Sequence, residues 1–139
     1  LIFYGLPSLA TGNLNLNGTW KLTEFRTAGA YSGGDEARAR KLIGSNLSIL
    51  GSRASFPDGT NCQLVSAQQI ALKNDMRTFG SAGGSWAELG LTQASDDTFK
   101  VIEIDFDCDG SHQIIIAQPD QGLYLLHAAF HVFLLMQPA

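Results

Sequence analysis

The sequence predicts an all-β fold: a single small antiparallel barrel of about eight strands, with one short helix near residues 35–43. The length of 139 residues corresponds to one domain, here residues 1–139. Hydrophobic residues make up 45% of the chain and charged residues 16%, which permits one sizeable core and excludes a disordered polyelectrolyte. The 15 glycines are spread along the chain between short alternating segments, as in proteins built from short strands and turns.

Each element is predicted from its local pattern. The alternation in Gly18–Phe25 indicates the first strand and places Trp20 and Leu22 on one face. Asp35 is predicted to cap the N-terminus of the helix and Gly44 to end it, so the two residues delimit the predicted helix. Further strands are predicted at residues 47–50, 53–56, 62–66, 69–72, 98–108, 113–117, 123–126 and 130–136, with a hairpin turn at Asp109-Gly110 and a flexible loop at residues 80–85.

The cysteines and the N-terminus both indicate export. Cys62 and Cys108 lack CxxC spacing and lie in strand-like segments, which favours a structural disulfide and an oxidising compartment, periplasmic or secreted. Two buried free thiols are the alternative. Residues 1–12 are predicted to be an N-terminal arm or the remnant of a signal peptide.

The charge distribution restricts the partners. A formal net charge of −4 argues against nucleic-acid binding, which needs a basic surface. Nothing approaches the roughly eighteen consecutive apolar residues of a transmembrane segment. Nine basic and eight acidic residues precede residue 101, whereas five acidic residues and no basic ones follow. The last third therefore suits a cationic partner.

Two sets of residues carry a resemblance to known proteins. Gly18-Thr19-Trp20 resembles the Gly-x-Trp signature of lipocalins and other calycins, although the arginine that stacks on this Trp in lipocalins has no counterpart after Lys100. A longer set resembles small exported bacterial β-barrel proteins with a cysteine pair. Lysozyme inhibitors and immunity proteins are built on similar small disulfide-bearing barrels. The resemblance implies a binder rather than a catalyst. This longer set comprises Gly18-Thr-Trp-Lys-Leu, the helix that runs into Leu42-Ile-Gly44, Phe56-x-Asp-Gly-x-x-Cys62, Phe106-Asp-Cys-Asp-Gly110 and Phe130-His-Val-Phe-Leu-Leu.

An acidic stripe is predicted on one face of the strand that ends at Cys108. Period-two alternation points the apolar residues inward and the carboxylates outward. Like charges in a row favour a cationic partner or a cation. The Asp-x-Asp-x-Asp-Gly run also matches the opening of a calcium loop, but Ile116 stands where that loop needs a glutamate. The stripe consists of Glu103, Asp105, Asp107 and Asp109, opposite Ile102, Ile104, Phe106 and Cys108.

No metal, cofactor or catalytic site is expected. His127 and His131 on a strand would lie about 13 Å apart, too far for one metal ion. The chain has no Gly-x-Ser-x-Gly, HExxH or phosphate-loop motif, so we expect a protein that is not an enzyme.

The loop Gly80–Trp86 is a second candidate partner-binding element. It loosely resembles the Ser/Gly-rich inserting loop of bacterial lysozyme inhibitors. Ser81 and Ser85 would offer hydroxyl groups and Trp86 an aromatic anchor, so we expect Trp86 to be partly exposed at a barrel end. A plain loop connecting two strands is the alternative.

Two functions remain open. The first is a periplasmic inhibitor or immunity protein that neutralises a cationic, cell-wall-type hydrolase. The second is a lipocalin-like carrier of a small apolar ligand. An inhibitor needs a packed barrel and a protruding loop, whereas a carrier needs an open apolar cavity. The mouth of that cavity would be lined by Trp20, Phe25, Phe99 and Phe133.

Overall fold

The computed structural model describes residues 14–29, 34–74, 84–129 and 131–139. The arm predicted at residues 1–12 and part of the loop at residues 80–85 lie outside these ranges. A short 3-10 helix at Trp86–Leu89 precedes β5, and a second one at Pro119–Gln121 precedes β7. The other elements are β1 (Gly18–Thr27), α1 (Gly34–Leu42), β2 (Asn46–Leu50), β3 (Arg53–Ser55), β4 (Asn61–Leu72), β5 (Phe99–Cys108), β6 (Ser111–Gln118), β7 (Leu123–Ala129) and β8 (Val132–Pro138).

The eight strands form one closed antiparallel sheet. Each strand pairs with the next along the chain, and β8 pairs with β1 to complete the ring. This confirms the expectation of about eight antiparallel strands with one short α-helix, within the part of the chain that the structure describes. The pairings to β2 and β3 are short, with four residue pairs between β1 and β2 and three between β3 and β4.

Several predicted boundaries differ from the observed ones by one to three residues. The helix begins at Gly34, so Asp35 lies in its first turn and is not its cap. Two differences in the strands have a local cause. The strands expected at residues 62–66 and 69–72 are one strand, β4, because no turn-forming residue separates them and a bulge between Leu64 and Ser66 adjusts the register. The last strand begins at Val132 rather than at residue 130, since His131 lies in the turn after β7.

The main core lies inside the ring. Trp20 and Leu22 of β1 are buried there, as the alternation predicted. Helix α1 packs Ala39 and Leu42 against this core where it connects β1 to β2. Leu14 and Leu16 join the same cluster before β1, and the Trp20 Nε1–H group donates a 2.7 Å hydrogen bond to the Leu16 carbonyl oxygen.

A second core lies on the outer face of β5–β8. Residues that alternate with the inward-facing ones, such as Val101, Ile116 and Phe133, point away from the interior of the ring. They are buried beneath the segment that runs from residue 84 towards β5. This segment contributes Trp86, Leu89 and Leu91. The parts of the strands that carry these outward-facing residues are therefore covered on both faces, which explains the long apolar runs of β6, β7 and β8, whereas β5 has its carboxylates on the uncovered part of its outer face.

Polar contacts hold this covering segment in place. Ser85 caps the 3-10 helix, and the reciprocal bond from its backbone N–H to Glu88 completes a capping box. Glu88 Oε1 also accepts a 2.8 Å bond from the Gly29 N–H group, and Arg26 Nη1 donates a 2.8 Å bond to the Leu89 carbonyl oxygen. The segment is thus tied to β1 and the residues that follow it.

The two cysteines form the predicted disulfide. The β4–β5 register pairs Gln63 with Asp107, which brings Cys62 opposite Cys108 with a Cα–Cα distance of 4.3 Å. No helix among the described residues is long and apolar enough to cross a membrane.

Candidate partner-binding groove

Three of the four residues of the acidic stripe have the predicted geometry. Glu103, Asp105 and Asp107 are partly exposed on the outer face of β5. Their apolar neighbours along the strand are buried inside the ring. Asp109 is exposed in the hairpin turn, where its φ of 62° is a conformation that Asp and Asn adopt more readily than other side chains.

One histidine contacts the stripe from the neighbouring strand. His112 Nδ1 lies 2.8 Å from Asp105 Oδ1, and His112 pairs with Asp107 in the β5–β6 register. The hydrogen bond to Asp105 and its negative charge raise the pKa of His112, with a smaller contribution from Asp107. The stripe therefore carries less negative charge when His112 is protonated.

A groove of about 610 Å³ lies beside the stripe and extends across β2–β5. Its lining includes the cross-strand row Leu50, Arg53, Gln63 and Asp107, and it also includes Asp109. The Asp107 carboxylate accepts a hydrogen bond of 3.2 Å from the Gly110 N–H group, which orients it in the hairpin. The groove thus has acidic groups on β5 and a guanidinium group on β3.

Two apolar side chains on β2 and β4 are exposed. Leu50 at the end of β2 is 78% exposed, and Val65 at the β4 bulge is 54% exposed. Sequence analysis missed both of them and also missed Arg53. A signal was present for Leu50, because the alternation that buries Leu47 and Ile49 points Leu50 outward.

The expectation for Trp86 was wrong. Its side chain is only 7% exposed and packs edge-on against Phe133, with ring centroids 5.9 Å apart. The indole N–H group donates a 3.0 Å bond to the Lys73 carbonyl oxygen. Ser85 is occupied as the helix cap, and Ser81 lies outside the described residues. The structure thus removes the exposed anchor on which the inserting-loop hypothesis depended.

The proposed ligand-binding mouth is not assembled either. Trp20 and Phe25 belong to the inner core, whereas Phe99 and Phe133 lie in the outer core on the opposite face of the sheet. A cavity of about 120 Å³ lies between residues 14–17 and inward-facing side chains of the sheet. Pockets for small organic ligands usually measure about 300–1,000 Å³, so this cavity is smaller than a carrier needs.

The two sequence patterns considered as metal sites are the Asp-x-Asp-x-Asp-Gly run and the pair of His127 and His131, and both adopt strand and turn conformations. The Asp-x-Asp-x-Asp-Gly run forms a β-hairpin, and Ile116 is buried in β6. His127 stacks on the Phe133 ring at a centroid distance of 4.6 Å, and His131 lies beyond the end of the same strand. Among the residues that the structure describes, no group of three or more His, Cys, Asp or Glu side chains is placed to hold a metal ion.

Comparison of the chain with protein-family models, with curated proteins and with solved structures finds no match. The assignment of a function therefore depends on the geometry of the groove and of the two cores.

Proposed function

We propose that this chain is an exported protein-binding protein of the inhibitor or immunity type, built on a lipocalin-like barrel, which neutralises a cationic hydrolase by docking it on the groove. The observation that carries the proposal is the groove of about 610 Å³, which is lined by Asp107 and Asp109 on one side and by the exposed Leu50 on the other. Interfaces commonly combine apolar contacts with complementary charges, and the charges chiefly set the association rate and the choice of partner.

The distribution of burial supports this choice of surface. The part of the outer face of β5–β8 that carries Val101, Ile116 and Phe133 is already covered by the segment that contains Trp86, and the interior of the ring holds the main core. In contrast, the outward residues Ser48, Arg53 and Gln63 are exposed. A partner can reach the groove without displacing any part of the described core.

The compartment is part of the proposal. The Cys62–Cys108 disulfide is compatible with an oxidising environment such as the periplasm or the extracellular space. Hydrolases that degrade cell walls act in the same environment, and a basic surface on such an enzyme would complement the chain's formal net charge of −4.

Inhibition of purified hydrolases tests the proposal. A panel of basic cell-wall hydrolases, with lysozymes of different structural types among them, is assayed by the clearing of a cell-wall suspension with and without the protein. We expect at least one member to be inhibited. The variant Asp107→Asn/Asp109→Asn should inhibit it more weakly, with a slower association rate and a flatter dependence on salt.

The chain provides a matched control. The variant Asp97→Asn/Asp120→Asn removes the same charge from exposed positions outside the groove, and Asp97 has the same left-handed backbone as Asp109 (φ 66° against 62°). This control should inhibit like the unmodified protein. Equal effects of the two double variants would mean that net charge alone drives association, and a panel without any inhibited member would refute the proposal.

A further inference from the structure

We propose that the groove recognises a pair of opposite charges on one segment of its partner, with Arg53 binding a carboxylate and Asp107 and Asp109 binding an ammonium or guanidinium group. This inference rests on the proposed function, because it specifies what the docked surface must carry. A purely cationic patch would meet the Arg53 side chain as a like charge.

The register determines the arrangement of these charges. Arg53 of β3 pairs with Gln63 of β4, and Gln63 pairs with Asp107 of β5. The three residues form a straight row across the sheet, so the Cα atoms of Arg53 and Asp107 are separated by two strand spacings, about 10 Å. Asp109 lies two residues further along the chain, in the hairpin turn after β5, and lines the same groove.

The basic end of the groove is available to a ligand. Among the described residues, no carboxylate lies within ion-pair distance of the Arg53 guanidinium, and its side chain is exposed. A guanidinium group can bind a carboxylate through two parallel hydrogen bonds, which gives directional recognition. Arg53 would therefore orient the partner as well as attract it.

The middle of the groove suits a peptide backbone. The side chain of Gln63 lies between the two charged ends and offers one acceptor and two donors. Its Nε2 group is 3.5 Å from Ser52 Oγ, at the outer limit of a hydrogen bond. An extended peptide places side chains i and i+2 on one face about 6.6 Å apart, and long flexible side chains span the rest of the row.

Short peptides test this recognition without the hydrolase. The probe is acetyl-Glu-Ala-Lys-amide, compared with acetyl-Gln-Ala-Lys-amide and acetyl-Glu-Ala-Gln-amide, each titrated into isotope-labelled protein and followed by amide NMR shifts. We expect the peptide with both charges to bind in the groove about threefold more tightly than either peptide with one charge, the size of a modest exposed ion pair.

Two variants of the protein test which end of the groove binds which charged side chain of the peptide. Arg53→Gln should remove the advantage of Glu over Gln in the peptide and retain the advantage of Lys. Asp107→Asn/Asp109→Asn should do the reverse. All substituted side chains lie on the outer surface, and the amide spectrum of each variant reports whether the fold is retained.

The outcomes separate this inference from the proposed function. Equal binding of the three peptides, absence of binding at millimolar peptide, or an Arg53→Gln variant that still distinguishes Glu from Gln would overturn the charge-pair inference. If the unmodified protein nevertheless inhibits a hydrolase and the Asp107→Asn/Asp109→Asn variant does not, the proposed function stands without it. If no hydrolase is inhibited, tighter binding of the peptide that carries both charges would still demonstrate a binding site for a charge pair in the groove.

Discussion

The outer core predicts a large loss of stability when Trp86 is replaced by alanine. The side chain is 7% exposed, contacts the Phe133 ring and donates a hydrogen bond to the Lys73 carbonyl oxygen. A buried aromatic residue removes about 150–250 Å² from water, worth about 4–6 kcal/mol at about 25 cal/mol per Å². This area-based figure is an upper bound. Measured replacements of buried Trp or Phe by Ala lower the free energy of unfolding by about 3–5 kcal/mol, the value expected here.

Urea unfolding followed by far-ultraviolet circular dichroism measures this loss. With a slope of about 2 kcal/mol per molar urea, the midpoint should fall by about 2 M. Trp86→Phe keeps an aromatic ring against Phe133 but loses the indole hydrogen bond, so it should cost about 1–2 kcal/mol. Leu50→Ser, at an exposed position, serves as the control and should change stability by less than about 0.5 kcal/mol.

The result that refutes this reasoning is a small effect. If Trp86→Ala lowers the free energy of unfolding by less than about 0.5 kcal/mol, the side chain behaves as an exposed surface residue. The second core would then not be part of the cooperative fold, and the loop that precedes Trp86 would again be a candidate for insertion into a partner.

Two further predictions concern the disulfide and the pH dependence. The Cys62–Cys108 bridge closes a sequence separation of 46 residues, so reduction, or Cys62→Ala/Cys108→Ala, should lower the free energy of unfolding by about 4 kcal/mol. Unfolding curves with and without reductant measure this, and coincident curves would contradict the entropic argument. Because Asp105 raises the pKa of His112 above its ordinary value of 6.5, protonated His112 favours the folded state. That contribution is complete below pH 6.5 and is lost as the pH rises through the folded-state pKa. As the pH rises through that pKa, the His112→Gln variant should therefore lose less stability than the unmodified protein. Urea midpoints at a series of pH values measure this difference. Parallel pH profiles of the two proteins would exclude a role for the pair of His112 and Asp105.

The local patterns of the sequence were sufficient for much of the fold. Alternation in β5 correctly separated the carboxylates of Asp105 and Asp107 from the buried Ile104 and Phe106, because the side-chain period of a strand is set by its own backbone. The Asp109-Gly110 turn was recognisable from its residue types. Such signals depend only on neighbours along the chain.

The candidate site depended on contacts that no local pattern contains. Arg53 and Asp107 are far apart in sequence, and only the pairing of β3 with β4 and of β4 with β5 places them in one row. Leu50 could have been recognised as outward-facing, but its position at a groove is set by the same pairing. Sequence analysis therefore found the acidic end of the groove and missed its basic end.

What the sequence by itself determined is the alternation within each strand, the turns and the presence of a cysteine pair that can bridge. The tertiary structure alone decided which faces of the sheet are covered. Trp86 has the sequence context of a loop end, Ser85-Trp86-Ala87-Glu88, and this capping signature predicts a helical turn but not its burial. Its burial follows from the path of the covering segment over β5–β8, where Phe133 also lies. Hydrophobic burial depends on which distant surface meets a residue, and that surface exists only after the ring has closed.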